Sequence, residues 1–293
     1  MKTNIIKVYL SIFAGLLIGC AAKEAVRPAA PALTVAPVAQ PVEVRLGRVI
    51  AVDRRTFTLK DPADADRYET AVAQVHNPIW ERQVPGWQLI VGKGERGVNA
   101  GRYVNLFNIE TRDRRDYYAP VADSTAPAYS TAAFDLLNAE FEGNWDFDST
   151  DFNFSDSVRF YTDYVLIGSD QIAEMPLVGL LGIHEVTNVE AGMEAAFETF
   201  IIEKYYPEFK KVTLPGVSFF VYKGDRGQRI GGYIGVWALE SLERRNMLWP
   251  EPGSSSEEAA QGFAVMDSTI AAQLNSYFDP SDEGNYTDWV IIR

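Results

Sequence analysis

The sequence predicts an α+β chain whose body is two tandem β-α-β-β-α-β repeats closed against each other as one pseudo-twofold α/β barrel. Three observations predict it. The 293 residues are 47% hydrophobic and 23% charged, a composition that suits a globular body of one large or two ordinary domains. The segment from Pro85 to Pro120 matches Pro215 to Pro250 without a gap, with Lys93/Lys223, Arg96/Arg226, Gly97/Gly227, Tyr103/Tyr233 and Glu110/Glu240 identical. Finally, the strands of the second copy are apolar on both faces, so each sheet needs a cover besides its helices, and the other sheet is the natural one.

Taken in order, the chain begins with Lys2 and Lys7, an apolar run from Val8 to Ile18, and Gly19-Cys20. That run is too short to be a comfortable membrane span and reads as a processing signal. Leu17-Ile18-Gly19-Cys20 resembles the lipobox of bacterial lipoproteins. The resemblance implies a signal peptide over 1–19, and Cys20 as the acylated first residue of the mature chain. Loss of Lys2 and Lys7 takes the net charge from -13 to -15, so acyl chains rather than basic residues would hold the protein at a membrane. Ala21 is not the aspartate that retains many such proteins at the inner membrane, which implies a cell-envelope address at the outer membrane, on its periplasmic side or surface. Residues 20–42 are rich in Ala and Pro and read as an extended tether.

The two repeats are expected over 43–168 and 169–293. In the first, Asp61-Pro62 starts a helix with Ala65, Tyr68, Val72 and Val75 on one face. In the second, a strand over Leu177 to Thr187 precedes Met193, Phe197, Phe200 and Ile201 at helical spacing. Two strands then follow in each copy, Trp87 to Val91 with Tyr103 to Ile109, and Val217 to Lys223 with Tyr233 to Leu239, each pair joined by a glycine-rich turn. Thr111 or Ser241 caps a second, irregular helical region that includes Ser130 to Phe141 or Glu257 to Phe278. Tyr164 to Ile167 and Trp289 to Ile292 are the closing strands. This order is the ferredoxin-like plan. Doubled over about residues 43 to 293, it resembles the dimeric α/β-barrel superfamily, in whose cofactor-independent monooxygenases an asparagine and a tryptophan help activate a bound polycyclic phenol. No motif maps those roles onto Asn105 or Trp237.

Composition excludes several chemistries. A net charge of -13 repels nucleic-acid phosphates. One cysteine and two histidines are too few for a Cys/His zinc site or an iron-sulfur cluster, and they allow no intramolecular disulfide. Neither a metal nor a cofactor is expected.

Several groups remain as candidates. The Lys93–Gly97 and Lys223–Gly227 loops could hold an anion, but a hairpin turn with solvated charges accounts for them. Glu110 with Arg114, and Glu240 with Arg244, read as braces because both copies keep them. The acidic run from Glu140 to Asp156 reads as a solvated loop rather than a calcium site, since the glycine of an EF-hand loop is missing. His184 occurs in one copy only, with Arg55 as its approximate counterpart, and a lumen-facing histidine could accept a proton near neutral pH. His76 reads as a residue at a helix C-terminus.

On the third strand of each repeat, Val104, Leu106, Ile234 and Val236 suit packing on helices. The opposite parity carries Tyr103, Asn105, Phe107, Tyr233, Gly235 and Trp237 and is expected to line the lumen. The expected ligand-binding set is therefore Tyr103, Asn105, Phe107, Tyr233, Trp237 and His184, with His184 and Trp237 as catalytic candidates. The function expected is a lipid-anchored extracytoplasmic protein that binds a small apolar ligand or a protein partner without chemistry. The alternative is a cofactor-independent monooxygenase-like barrel enzyme acting on an aromatic substrate.

Overall fold

The computed structural model describes residues 43–78, 86–118, 151–154, 161–186, 189–277 and 285–293. Its strands are β1 (Val49–Leu59), β2 (Trp87–Gly97), β3 (Tyr103–Ile109), β4 (Phe152–Phe154), β5 (Tyr161–Leu166), β6 (Leu180–Val186), β7 (Val217–Gly227), β8 (Tyr233–Leu239) and β9 (Tyr286–Ile291). Hydrogen bonding runs β3-β2-β9-β6-β8-β7-β5-β1 and returns from β1 to β3, so these strands close into an antiparallel β-barrel, with β4 added along the end of β1. The β2–β9 and β5–β7 pairs join strands of the N-terminal half to strands of the C-terminal half. Closure leaves no free sheet edge around the ring.

The helices lie between strands. Asp61 caps the first helical turn by accepting from the Ala63 amide, and Pro62 occupies the position where a missing N–H costs nothing. Helix α1 (Ala65–Ala71) follows and runs on through a π-helical turn at Val72–His76. After β3 comes α2 (Arg112–Tyr118), whose start is capped by Thr111 Oγ1 accepting from the Arg114 amide. In the C-terminal half, α3 (Glu194–Phe200) continues through a π-helical turn at Ile201–Tyr205 into α4 (Tyr206–Phe209). Then come α5 (Leu242–Leu248), capped by Ser241, α6 (Glu257–Phe263) and α7 (Ser268–Asn275). Among the described residues no helix is long and apolar enough to cross a membrane.

The core is layered. Inside the barrel, Ile90, Val104, Leu106, Tyr164, Leu181, Ile183, Phe220, Ile234, Val236, Trp289 and Ile291 form one buried cluster fed by both halves. Tyr222 is also fully buried there, its hydroxyl donating to the Gly47 carbonyl at 2.7 Å. Outside, Tyr68, Val72, Val91 and Tyr103 pack beneath α1, while Phe197, Phe200, Ile201, Val221 and Tyr233 pack beneath α3.

The expected parity of the third strands is therefore inverted. Val104, Leu106, Ile234 and Val236 fill the barrel, and Tyr103 and Tyr233 face helices. The reason is packing: a barrel of this size has room only for side chains, and branched aliphatics fill it without stranding a hydroxyl or an amide. The expected turn loops also differ. Lys93–Gly97 and Lys223–Gly227 are the ends of β2 and β7, each carrying a bulge, at Gly94/Arg96 and opposite Asp163/Tyr164. A bulge adds a residue to one strand and re-aims its neighbours. The second-copy strand expected over Leu177 to Thr187 is confined to Leu180–Val186. The expected helix over Ser130 to Phe141 lies outside the described residues, as does the acidic run apart from 151–154.

Candidate functional site

Two rows of side chains cross the helix-facing side of the C-terminal sheet. Phe219, Trp237, Gly182 and Asp288 stand opposite one another on β7, β8, β6 and β9, and Val221, Gly235, His184 and Tyr286 form the next row. The two glycines let large groups lie close to the strands. A Cβ on Gly235 would stand 3.1 Å from the Phe219 ring, and one on Gly182 would stand 3.0 Å from Asp288 Oδ1 and 3.3 Å from Trp237 Cβ.

Trp237 is the hub of an aromatic array. Its ring centroid is 4.8 Å from Phe219, 5.8 Å from both Phe209 and Trp249, and 5.9 Å from Phe263. The rings meet at 56–86°, the tilted and edge-on geometries that aromatic quadrupoles favour. All five are half-buried rather than sealed. The array thus joins the cluster under α3 to the one under α5 and α6 and still meets solvent.

The polar side adjoins it. The His184 ring lies 4.4 Å from that of Tyr286, Tyr286 and the Asp288 carboxylate both lie against Gly182, and Asp288 Oδ2 accepts from Arg245 Nη1 at 2.7 Å. Arg245 and Asp288 are both buried, and Arg245 Nε has no hydrogen-bond partner among the described residues. Burial pushes the His184 imidazole down to about 4, so it is neutral at neutral pH. Tyr286 is held well above its ordinary range, first by burial and then by the Asp288 carboxylate, and so stays protonated. Burial also raises Asp288, against the opposing pull of Tyr286, Arg245 and Arg96. The arrangement offers a neutral proton acceptor, a protonated phenol and a buried ion pair beside an aromatic surface.

The N-terminal sheet carries the matching rows Leu89-Phe107-Ala51-Asp163 and Val91-Asn105-Asp53-Tyr161. Asn105 thus takes the place of Gly235 and Phe107 that of Trp237. Asp53, not Arg55, is the counterpart of His184. Phe107 is buried, edge-on to Trp87 at 5.7 Å. Tyr103 and Tyr233 are braces: each hydroxyl donates to a helix glutamate, Glu69 or Glu198, which also accepts from Lys93 or Lys223. The expected ligand-binding set is therefore split. His184 and Trp237 lie in adjacent rows of one patch and Tyr233 lies one row further along the same sheet, whereas Tyr103, Asn105 and Phe107 belong to the other sheet; none of these residues lies in the barrel interior.

The loop charges do not simply face water either. Asp225 accepts from Arg115 and Arg112, and Arg226 pairs with Asp116. Nor does Arg244 turn back to Glu240: it donates to the Pro215 carbonyl and to Glu258. His76 is buried on the π-helical turn, with Nδ1 3.0 Å from Asn77 Oδ1. Among the described residues no group of three or more His, Cys, Asp or Glu is placed to hold a metal ion. Sequence reasoning missed Asp288, Tyr286 and Arg245. The available signal was Thr287-Asp288, which repeats Thr162-Asp163 as a carboxylate inside an otherwise apolar closing strand.

No protein-family model matches the sequence, and no curated protein does. Solved structures do. An anthrone oxidase-like protein aligns with TM-score 0.43 and 10% identity over 86% of this chain and 95% of its own. A protein described as a monooxygenase from Lactobacillus acidophilus gives 0.42 and 8% over 84% and 94%. A chlorite dismutase mutant from Candidatus Nitrospira defluvii gives 0.38 and 9% over 83% and 92%. These are dimeric α+β-barrel proteins. The likeness is one of plan. The expectation of a binder without chemistry is corrected: the lumen that was to hold its ligand is packed.

Proposed function

We propose that the chain is an α/β-barrel enzyme acting on an aromatic substrate at the helix-facing side of its C-terminal sheet. The observation that carries this reading is the adjacency of neutral His184 to the half-exposed array around Trp237, with Tyr286, Asp288 and Arg245 alongside. A substrate ring would stack on the array, and His184 would accept a proton from its acidic hydroxyl or methylene group. In the oxygenase version the resulting anion itself reduces dioxygen: a ring CH2 becomes C=O, one oxygen atom enters the product and the other leaves as water.

The body is read as two tandem ferredoxin-like repeats, 43–168 and 169–293. The strand orders β5-β1-β3-β2 and β9-β6-β8-β7, which match strand for strand, support that reading. A lipid anchor at Cys20 behind a 20–42 tether would place the enzyme in the cell envelope, and the motif at Leu17 to Cys20 supports it.

The test is to incubate the full chain with a panel of polycyclic phenols and anthrone-type ketones in air, following oxygen uptake and product mass. Turnover by the wild type that falls at least tenfold in His184→Ala is the expected result. Equal turnover in both, or none on any compound, removes the enzyme reading.

A further inference from the structure

The site just described is not built by the C-terminal half alone. Arg96, on the bulged end of β2, stands opposite Asp288 across the β2–β9 junction and extends the Phe219-Trp237-Gly182-Asp288 row onto a strand of the other half. Its guanidinium donates from Nη1 to the Trp249 carbonyl at 2.8 Å and from Nη2 to the Pro250 carbonyl at 2.9 Å. Trp249 is one wall of the aromatic array, 5.8 Å from Trp237 and 6.2 Å from Phe263.

The local backbone is shaped for this reach. The register shift between Gly94 and Arg96 sets the arginine opposite Asp288 of β9, and Gly97 follows at φ +98° with its α-carbon so close to the Tyr286 carbonyl that a Cβ would stand 2.0 Å from the oxygen. Only glycine fits that approach.

The matching residue on the other junction has a carboxylate to pair with. Arg226 follows the same kind of bulge but pairs with the Asp116 carboxylate. The position in α5 that matches Asp116 is Asn246, so Arg96 meets no carboxylate there and binds two carbonyls at the edge of the array instead. With no carboxylate at that position, the guanidinium of Arg96 is held at the rim of the aromatic site by the Trp249 and Pro250 carbonyls.

We propose that Arg96, contributed by the N-terminal half, is a positioning residue for the aromatic site of the C-terminal half. It fixes the main chain at Trp249-Pro250, and with it the Trp249 ring against Trp237, and it places a second positive charge beside the Asp288–Arg245 pair. Arg96 also opposes the burial-driven rise of Asp288 and Tyr286. Two guanidiniums against one carboxylate leave the polar side of the site with surplus positive charge. The array is complete only where the two halves meet.

The proposal rests on the enzyme reading for its purpose but not for its geometry, and the test separates the two. The full chain, with its six tryptophans replaced by 5-fluorotryptophan, is followed by 19F NMR, and the lines of Trp87, Trp237 and Trp249 are assigned by single Trp→Phe changes. Arg96→Gln should shift or broaden the Trp249 and Trp237 lines and leave Trp87 in place. Arg226→Gln should leave both Trp237 and Trp249 where they are. Arg96→Lys, which keeps the charge and one donor, should return the lines part of the way and serves as the decisive variant if Arg96→Gln does not fold. Unmoved Trp237 and Trp249 lines in a folded Arg96→Gln chain overturn the proposal, as do lines that move equally in Arg226→Gln. With a turned-over substrate in hand, Arg96→Gln should lower kcat/KM at least tenfold. Shifted lines with unchanged turnover would leave the positioning intact and count against the aromatic array as the reaction site.

Discussion

The Asp288 carboxylate lies against Gly182, so close that a methyl group on that glycine would stand 3.0 Å from Oδ1. Its other oxygen is held by Arg245 at 2.7 Å. The glycine thus sets how deeply the carboxylate sits, and the carboxylate sets where Tyr286 and Arg245 are.

Enlarging Gly182 should therefore disturb the site before it disturbs the barrel. Gly182→Val pushes Asp288 away from Arg245 and crowds Trp237, for an expected loss of about 2 kcal/mol typical of overpacking. Near-UV circular dichroism should change while the far-UV spectrum is kept. A variant with unaltered near-UV signal and melting temperature would refute the close approach.

The Arg245–Asp288 pair should behave as a buried ion pair and not as a surface one. Removing one partner strands the other charge inside, at a cost of about 3–5 kcal/mol, whereas replacing both with apolar residues costs far less. Asp288→Leu and Arg245→Met should each lower the urea midpoint strongly, and the double variant should recover most of the loss. Additive losses in the double variant would mean that the charges are solvated.

Acid should destabilise the fold through its two histidines. Burial pushes both His76 and His184 down to about 4, against an ordinary value of 6.5. At pH 7 both are neutral, folded or unfolded. As the pH falls below 6.5 the unfolded chain takes up protons that the folded chain refuses until about pH 4. Stability is thus complete above this window and is lost through it, by about 3 kcal/mol per histidine at the lower end. Unfolding midpoints at pH 7 and 4.5 should differ clearly in the wild type and by roughly half as much in His184→Gln. A flat profile in the wild type would show that neither imidazole is buried in solution.

The closing strand β9 is held from both sides, by β2 of the N-terminal half and β6 of the C-terminal half. Deleting Trp289 to Arg293 removes Trp289 and Ile291 from the barrel interior and exposes two strands' worth of unpaired backbone groups. The truncated chain should lose its cooperative melt. Unchanged circular dichroism and melting temperature would contradict the closed ring.

Much of this was legible in the sequence because it is local. Asp61, Thr111 and Ser241 cap where cap chemistry predicts, and β3 and β8 span the residues that their apolar runs mark. The doubly apolar strands also pointed correctly to a sheet covered on both sides. Which side is the interior was not legible. Period-two alternation separates Val236 from Trp237 but carries no label for the lumen, and both sides of each strand are covered. Packing inside the closed barrel decides it, where Val104, Leu106, Ile234 and Val236 fill the space left around Tyr164, Tyr222 and Trp289. The partners of Asp225 and Arg96 were hidden for a related reason, since a bulge changes which way a side chain points without changing composition.

That inversion can be tested with neighbours one residue apart. Val236 is fully buried inside the barrel, where a carboxylate would have no partner and a steep desolvation cost. Trp237 points the other way, half-exposed among Phe209, Phe219, Trp249 and Phe263. Val236→Asp should abolish the folded state, seen as loss of the cooperative thermal transition. Trp237→Ala should leave a folded chain that melts a few degrees lower, yet weaken the binding of an aromatic substrate by more than tenfold, on the order of 2 kcal/mol for a central aromatic contact. The two outcomes must appear together. If Val236→Asp folds normally while Trp237→Ala collapses, then Trp237 fills the interior, Val236 faces the helices, and the site belongs in the lumen after all.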